Sequence, residues 1–116
     1  MKVQFYKNSR GDYLVCDYIE NLKIIKHQKK IYNKLRLLEK IGHEQMLRTQ
    51  DVKKIKGYDN IYELRISYQN CYYRIFFSIF NNSYWLLHAF MKKSDKTPAS
   101  EIETAFSRYS NLLNNE

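Results

Sequence analysis

Residues 61–98, IYELRISYQNCYYRIFFSIFNNSYWLLHAFMKKSDKTP, decide the fold. They hold three runs rich in Tyr, Ile, Phe and Trp, separated by the turn-forming segments Ser67-Tyr68-Gln69-Asn70 and Asn81-Asn82-Ser83. Such a succession predicts a three-stranded antiparallel meander, and this one ends in a basic loop. Glu63, Arg65, Arg74 and His88 interrupt runs that are otherwise apolar. An unpaired charge is costly to bury, so these groups are either paired or used. Strand alternation puts Tyr62, Leu64 and Ile66 on one face against Ile61, Glu63 and Arg65 on the other; in the next strand Tyr73, Ile75 and Phe77 oppose Tyr72, Arg74 and Phe76. A first loop of residues 67–70 sets Glu63 across from Arg74 and Arg65 across from Tyr72. A three-residue second loop, Asn81 to Ser83, sets Arg74 against Phe90 and Phe76 against His88. On that register the four polar residues share one face. The other face carries the main core, with Trp85, Leu87, Ala89 and Met91 contributed by the last strand. A one-residue slip in the second turn would move His88 to the core side.

Working outward, Val3 to Tyr6 is a short strand at the sheet edge, ended by the polar segment Asn8 to Gly11. Leu14, Val15, Tyr18, Ile19 and Leu22 recur at helical spacing. A second helix from about Lys26 to Ile41 carries Ile31, Leu35, Leu38 and Ile41 on one stripe, with Gly42 as its C-terminal cap. Residues 43–60 read as a loop that holds a basic cluster, Lys53, Lys54 and Lys56. At the end of the chain Thr97-Pro98 gives an N-cap and a first-turn proline, Ser100 and Glu103 an alternative capping box, and Ile102, Ala105, Phe106, Tyr109 and Leu113 a buried stripe. The order β-α-α-β-β-β-α predicts one α+β domain over residues 1–116, a mostly antiparallel sheet with helices packed on one face.

A chain of 116 residues is long enough for one core. Twenty Lys and Arg against twelve Asp and Glu give a formal net charge of +8, and eleven Tyr and six Phe accompany it. That balance favours a polyanionic partner, nucleic acid or an acidic protein. The lysines of the second helix, Lys26, Lys29, Lys30, Lys34 and Lys40, read as a solvated helix surface. Cys16 and Cys71 have no CxxC spacing and no His at ligand intervals, so neither a metal site nor a disulfide framework is expected, and no cofactor. The N-terminus lacks the apolar run of a signal peptide and no stretch is long enough to span a membrane, so the expected location is the cytoplasm.

Tyr62-Glu63-Leu64-Arg65, Tyr73-Arg74-Ile75-Phe76-Phe77, Leu86 to Lys93, Lys96-Thr97-Pro98 and Glu101-Ile102-Glu103 with Ala105 and Arg108 together resemble the HigB-like, phage-derived branch of the RelE/ParE toxin superfamily. The resemblance covers nearly the whole chain and implies a RelE-like fold. It also implies the toxin of a type II toxin–antitoxin system that cleaves mRNA on the ribosome without a metal, and a helix-turn-helix, HigA-like antitoxin as partner in a hetero-oligomer. The alternative within the superfamily is a ParE-like protein that inhibits gyrase without nuclease activity. Ribonucleolytic attack by a 2′-hydroxyl needs a base, cations at the phosphorane and an acid at the leaving oxygen. Arg65 and Arg74 are the candidates for the phosphate, because guanidinium forks match its oxygens; the other reading of the pair is a structural network with Glu63. Lys93 is a candidate for the RNA backbone in the same site, and Lys53, Lys54, Lys56, Lys92 and Lys96 are candidate RNA contacts. His88 has a side chain suited to acid–base work near neutrality, or is a satisfied core histidine. Tyr109 stands near the C-terminus, where several members of the superfamily carry a catalytic tyrosine or histidine, and reads as part of the buried stripe.

Overall fold

Both turns of the meander are two residues long. In the computed structural model, which describes residues 1–115 and leaves Glu116 outside, Gln69, Asn70, Asn81 and Asn82 all have positive φ, between 48° and 65°. That is the geometry of turns whose twist matches the flanking strands, and asparagine adopts it at little cost. Among the described residues the chain runs β1 (Lys2–Phe5), α1 (Leu14–Glu20), α2 (Ile25–Ile41), α3 (His43–Arg48), β2 (Val52–Lys54), β3 (Tyr62–Tyr68), β4 (Cys71–Phe80), β5 (Ser83–Met91) and α4 (Ala99–Asn114). The sheet order is β1-β5-β4-β3-β2, with β1 parallel to β5 and the other pairs antiparallel. This is an α+β fold of the RelE-like kind.

The shorter first turn moves the β3–β4 register by two residues from the expected one. Glu63 faces Phe76, and Arg65 faces Arg74. A shift of two keeps every side chain on its face, so the charged face survives with different partners. The second turn is shorter than expected by one residue, a slip that would by itself send His88 into the main core. A bulge restores the balance: Phe77 pairs with Leu86 while Phe76 pairs with His88, which leaves Leu87 as the extra residue. Arg74–Phe90 and Phe76–His88 are therefore paired as the sequence leads one to expect. Beyond the bulge the faces exchange, so that Tyr84 and Leu86 enter the main core in place of Trp85 and Leu87. Trp85 donates its indole N–H to the Phe80 carbonyl at 3.0 Å, Leu87 packs on the other face, and Met91 is exposed.

The main core joins one sheet face to α1, α2 and α3 through Val15, Ile19, Ile31, Leu35, Leu38 and Met46. Gly42 closes α2 at φ 85° and leads directly into α3, where a loop was expected. Lys53 and Lys54 accordingly lie on a short edge strand. The helices do not all share one face. Ala105 of α4 packs with Phe76, Leu87 and Phe90 on the face opposite the main core, flanked by Ile102, Tyr109 and Leu112. The stripe is rotated from the predicted one because this second core is small and one-sided; Phe106 and Leu113 remain 46% and 41% exposed. The N-cap of α4 is Pro98, without a side-chain cap, because the Thr97 hydroxyl is engaged elsewhere.

Leu113→Ala should therefore change stability by no more than about 0.5 kcal/mol, as for an ordinary surface site. Ala105→Leu overfills the second core and should cost about 1–3 kcal/mol. Urea denaturation of the two variants checks the assignment, and equal losses would contradict it.

Candidate functional site

Glu63 projects from near the start of β3 onto the face that α4 only partly covers, and it is 2% exposed. Its carboxylate collects partners from three segments. Oε1 accepts from Arg65 Nε at 3.3 Å and lies 3.8 Å from Arg74 Nε; Oε2 accepts from the Thr97 hydroxyl at 3.1 Å. Arg65 and Arg74 are directly opposite across β3 and β4, a like-charged pair that would repel. The buried carboxylate between them turns that repulsion into a bridge. Arg74 donates Nη1–H to the Tyr73 carbonyl at 3.0 Å, while its Nε is buried without a hydrogen bond. Burial pulls the Arg74 pKa below its ordinary value; Glu63 raises it and Arg65 lowers it. At neutral pH the guanidinium is still charged.

Beside Arg74 a cleft of about 370 Å³ is lined by Tyr72, Arg74, Lys92, Lys93, Ser94 and Asp95. Tyr72 and Arg74 share a face of β4, and the remaining four residues form the loop after β5. The loop is fixed at both ends: the Lys92 amide donates to the Tyr72 carbonyl at 2.7 Å, and Thr97 is tied to Glu63. Within it the Ser94 hydroxyl donates to the Lys96 carbonyl at 3.0 Å. One arginine and two lysines thus line one concave surface against a single carboxylate, Asp95, a net positive charge that suits a phosphate. An adjoining groove of about 450 Å³, lined by Tyr18, Phe90, Met91 and Pro98, shares Lys92 and Lys93.

Of the residues singled out in the sequence, Arg74, Lys92 and Lys93 meet at the cleft, and Arg65 stands beside it through Glu63. Lys53 pairs opposite Glu63 and so lies on the same face; Lys54 pairs opposite Tyr62 and lies on the other. Lys56 and Lys96 are exposed in loops and do not line the cleft. His88 is on the expected face but under α4. Its Nε2 is 2.8 Å from Glu101 Oε1, and its Nδ1 is 3.3 Å from Arg108 Nη1, which also donates to the Leu87 carbonyl at 2.8 Å. The ring stacks with Phe76 and Phe90 at 6.5 and 5.7 Å.

Burial lowers the His88 pKa and outweighs the opposing pull of Glu101, while Arg108 lowers it further. Arginine has only protons to give, so Nδ1 is the acceptor and the imidazole is neutral, with Nε2–H donated to Glu101. Tyr109 likewise has a structural partner: its hydroxyl accepts from Asn60 Nδ2 at 2.9 Å, and Asn60 in turn braces Ile79 on β4. Among the described residues no three His, Cys, Asp or Glu side chains group as metal ligands, and no helix is long and apolar enough to cross a membrane.

Tyr72, Asp95 and Thr97 belong to the site without being site candidates in the sequence. Tyr72 has the same strand parity as Arg74, which is a usable signal. Asp95 is masked by its lysine-rich loop, and Thr97 by its resemblance to a helix cap.

Residues 17–110, from within α1 to within α4, match the family described as phage-derived protein Gp49-like (DUF891). The chain belongs to the Gp49-like family. This is a RelE/HigB-like toxin family, and membership supports a toxin role. No curated protein and no solved structure matches the chain.

Thr97→Val should lose a hydrogen bond to a buried carboxylate and cost about 1.5–3 kcal/mol, with Thr97→Ser close to the parent in urea melts. His88 should titrate below its ordinary 6.5, followed by NMR of its ring protons. Because its folded pKa is depressed, the unfolded chain takes up more protons. Its contribution to stability is complete above about pH 6.5 and is lost as pH falls through the folded value. Thermal melts between pH 7 and 5 should then fall less steeply for His88→Gln than for the parent.

Proposed function

We propose that this Gp49-like protein is the toxin of a type II toxin–antitoxin pair and acts as a HigB-like endoribonuclease on mRNA in the ribosome. The observation that carries this reading is the cleft in which Arg74, Lys92 and Lys93 converge beside the buried Glu63. A scissile phosphate seated there meets a guanidinium fork and two ammonium groups, which stabilise the charge that builds up on the phosphorane. The adjacent ribose 2′-hydroxyl loses its proton, its oxygen attacks phosphorus, and the 5′ oxygen leaves with a proton. The products are a 2′,3′-cyclic phosphate and a free 5′-hydroxyl. Asp95 is the carboxylate in the cleft available to take the 2′ proton, and an ammonium group of Lys92 or Lys93 is placed to protonate the leaving oxygen.

Arg65 supports the reaction through Glu63, which orients Arg74. His88 supports it by holding α4 to the sheet, since both of its ring nitrogens are engaged. The exposed Lys53 extends the basic face along the path a strand of RNA would take. The partner that restrains the toxin is a HigA-like helix-turn-helix antitoxin, whose acidic segment meets the basic surface.

Primer extension on cellular transcripts after induced expression tests the reading. Cuts within open reading frames and arrested translation are expected; intact transcripts with induction of a DNA damage response would favour gyrase as the target. Arg74→Lys keeps the charge and loses the fork, and should lower cleavage about a hundredfold to a thousandfold with antitoxin binding retained. Cleavage should persist in EDTA on intact ribosomes, because the cations of the cleft are side chains.

A further inference from the structure

The exposed aromatic residues of this chain differ in one respect that bears on the cleft. Tyr13, Tyr72 and Phe106 are 48%, 48% and 46% exposed. Phe106 packs against the Tyr58 ring at 5.2 Å, and Tyr13 lies under the Lys7 ammonium at 6.0 Å. Among the described residues the Tyr72 ring has neither an aromatic partner nor a cation over its face, and it is the one of the three that lines the basic cleft.

Its backbone is nevertheless held firmly. Tyr72 pairs with Ser67 on one side, and its carbonyl accepts the Lys92 amide on the other. A tyrosine has only two side-chain torsions to fix, so a ring on a paired strand is a platform that loses little entropy when it is covered. Arg74 lies two residues on and points to the same face, about 6.8 Å away along an antiparallel strand. A base stacked on Tyr72 therefore places its own or the next phosphate at Arg74, within reach of Lys93 on the opposite wall.

We infer that Tyr72 is the stacking platform for one nucleobase of the bound strand, with the adjoining phosphate held by Arg74 and Lys93. This rests on the reading of the cleft as a ribonucleic acid site. Stacking accepts every base, because each has a π face, and it favours purines for their larger overlap. The platform therefore sets which nucleotide sits next to the scissile phosphate by geometry, with a modest purine preference rather than a strict sequence rule. An acidic peptide would use the lysines but leave the ring without a matching surface.

The test uses 2′-O-methyl oligoribonucleotides, which lack the attacking hydroxyl and cannot be cut, with binding to the full chain read by fluorescence anisotropy. Tyr72→Ala should weaken binding about tenfold to a hundredfold, while Tyr72→Phe should match the parent protein. Tyr72→Leu keeps an apolar side chain without a π face and should behave like the alanine variant. An abasic residue moved along the oligonucleotide should weaken the parent at one position and leave Tyr72→Ala unaffected there. Thermal melts of the variants should coincide, since the ring packs against no other ring.

Parent protein that binds the oligonucleotide with Tyr72→Ala equally tight would overturn the stacking role alone, as would a phenylalanine variant as weak as the alanine one. Parent protein that neither binds the oligonucleotide nor cuts transcripts would overturn the reading of the cleft itself. Tyr72-dependent capture of a polyglutamate peptide in place of RNA would overturn the choice of ligand.

Discussion

Glu63 is a carboxylate almost wholly removed from water, and three segments of the chain meet because of it. A buried charge without partners would be several kcal/mol unfavourable, so the folded state requires Arg65, Arg74 and Thr97 to be where they are. Arg65 comes from the same strand, Arg74 from its neighbour, and Thr97 from the far end of the basic loop. The interaction that neutralises Glu63 thus also fixes the two walls of the cleft. Arg74 is held by a hydrogen bond from Nη1 to the Tyr73 carbonyl and by its charge beside Glu63, 3.8 Å from Nε, and it lines the cleft beside Tyr72. A charge network that a stability argument alone would treat as nearly neutral is here a means of orientation.

The bulge at Leu87 is the second constraint. The two-residue turn at Asn81-Asn82 puts Tyr84 and Leu86 into the main core, and without the bulge the same register would bring His88 there too. The extra residue returns His88 to the other face and adds Leu87 to the small core beneath α4. His88 then joins Glu101 and Arg108 of α4 to the strand as a neutral, doubly bonded ring. This helix begins directly after the basic loop, so the loop is anchored from both sides: by Thr97 to Glu63, and through α4 to β5.

Membership of the Gp49-like family and the geometry bear on different questions. The family supports a toxin role, while the activity proposed above rests on the cleft, where Arg74, Lys92 and Lys93 stand with Asp95 and Tyr72. Arg74 and Lys93, picked out from the sequence, are at that cleft, whereas His88 is engaged elsewhere. An acid–base role for His88 would require it to leave both Glu101 and Arg108, and the neutral imidazole gains its place from those bonds.

The sequence by itself determined the features that depend on local periodicity. The alternation in residues 61–77 put Glu63, Arg65 and Arg74 on one face, and an error of two residues in the turn did not disturb it, because side-chain direction repeats every two. Helical spacing located α1, α2 and α4, and Gly42 marked the end of α2. What only the tertiary structure decided depends on contacts between distant residues. The bulge at Leu87 exists because both faces of β5 must be filled at once, and no local signal marks it. The docking of α4 on the second face follows from Phe76, Leu87 and Phe90 being left uncovered by the first three helices. Thr97 has the local chemistry of a helix cap; a buried carboxylate thirty-four residues earlier in the chain competes for its hydroxyl and wins, because a charge-assisted bond in a dry site is stronger than a cap in water. Tyr72 is beside Arg74 by strand parity alone, whereas Asp95 becomes a neighbour of Arg74 only when the loop after β5 folds back over β4, a closure held by the bond from Thr97 to Glu63.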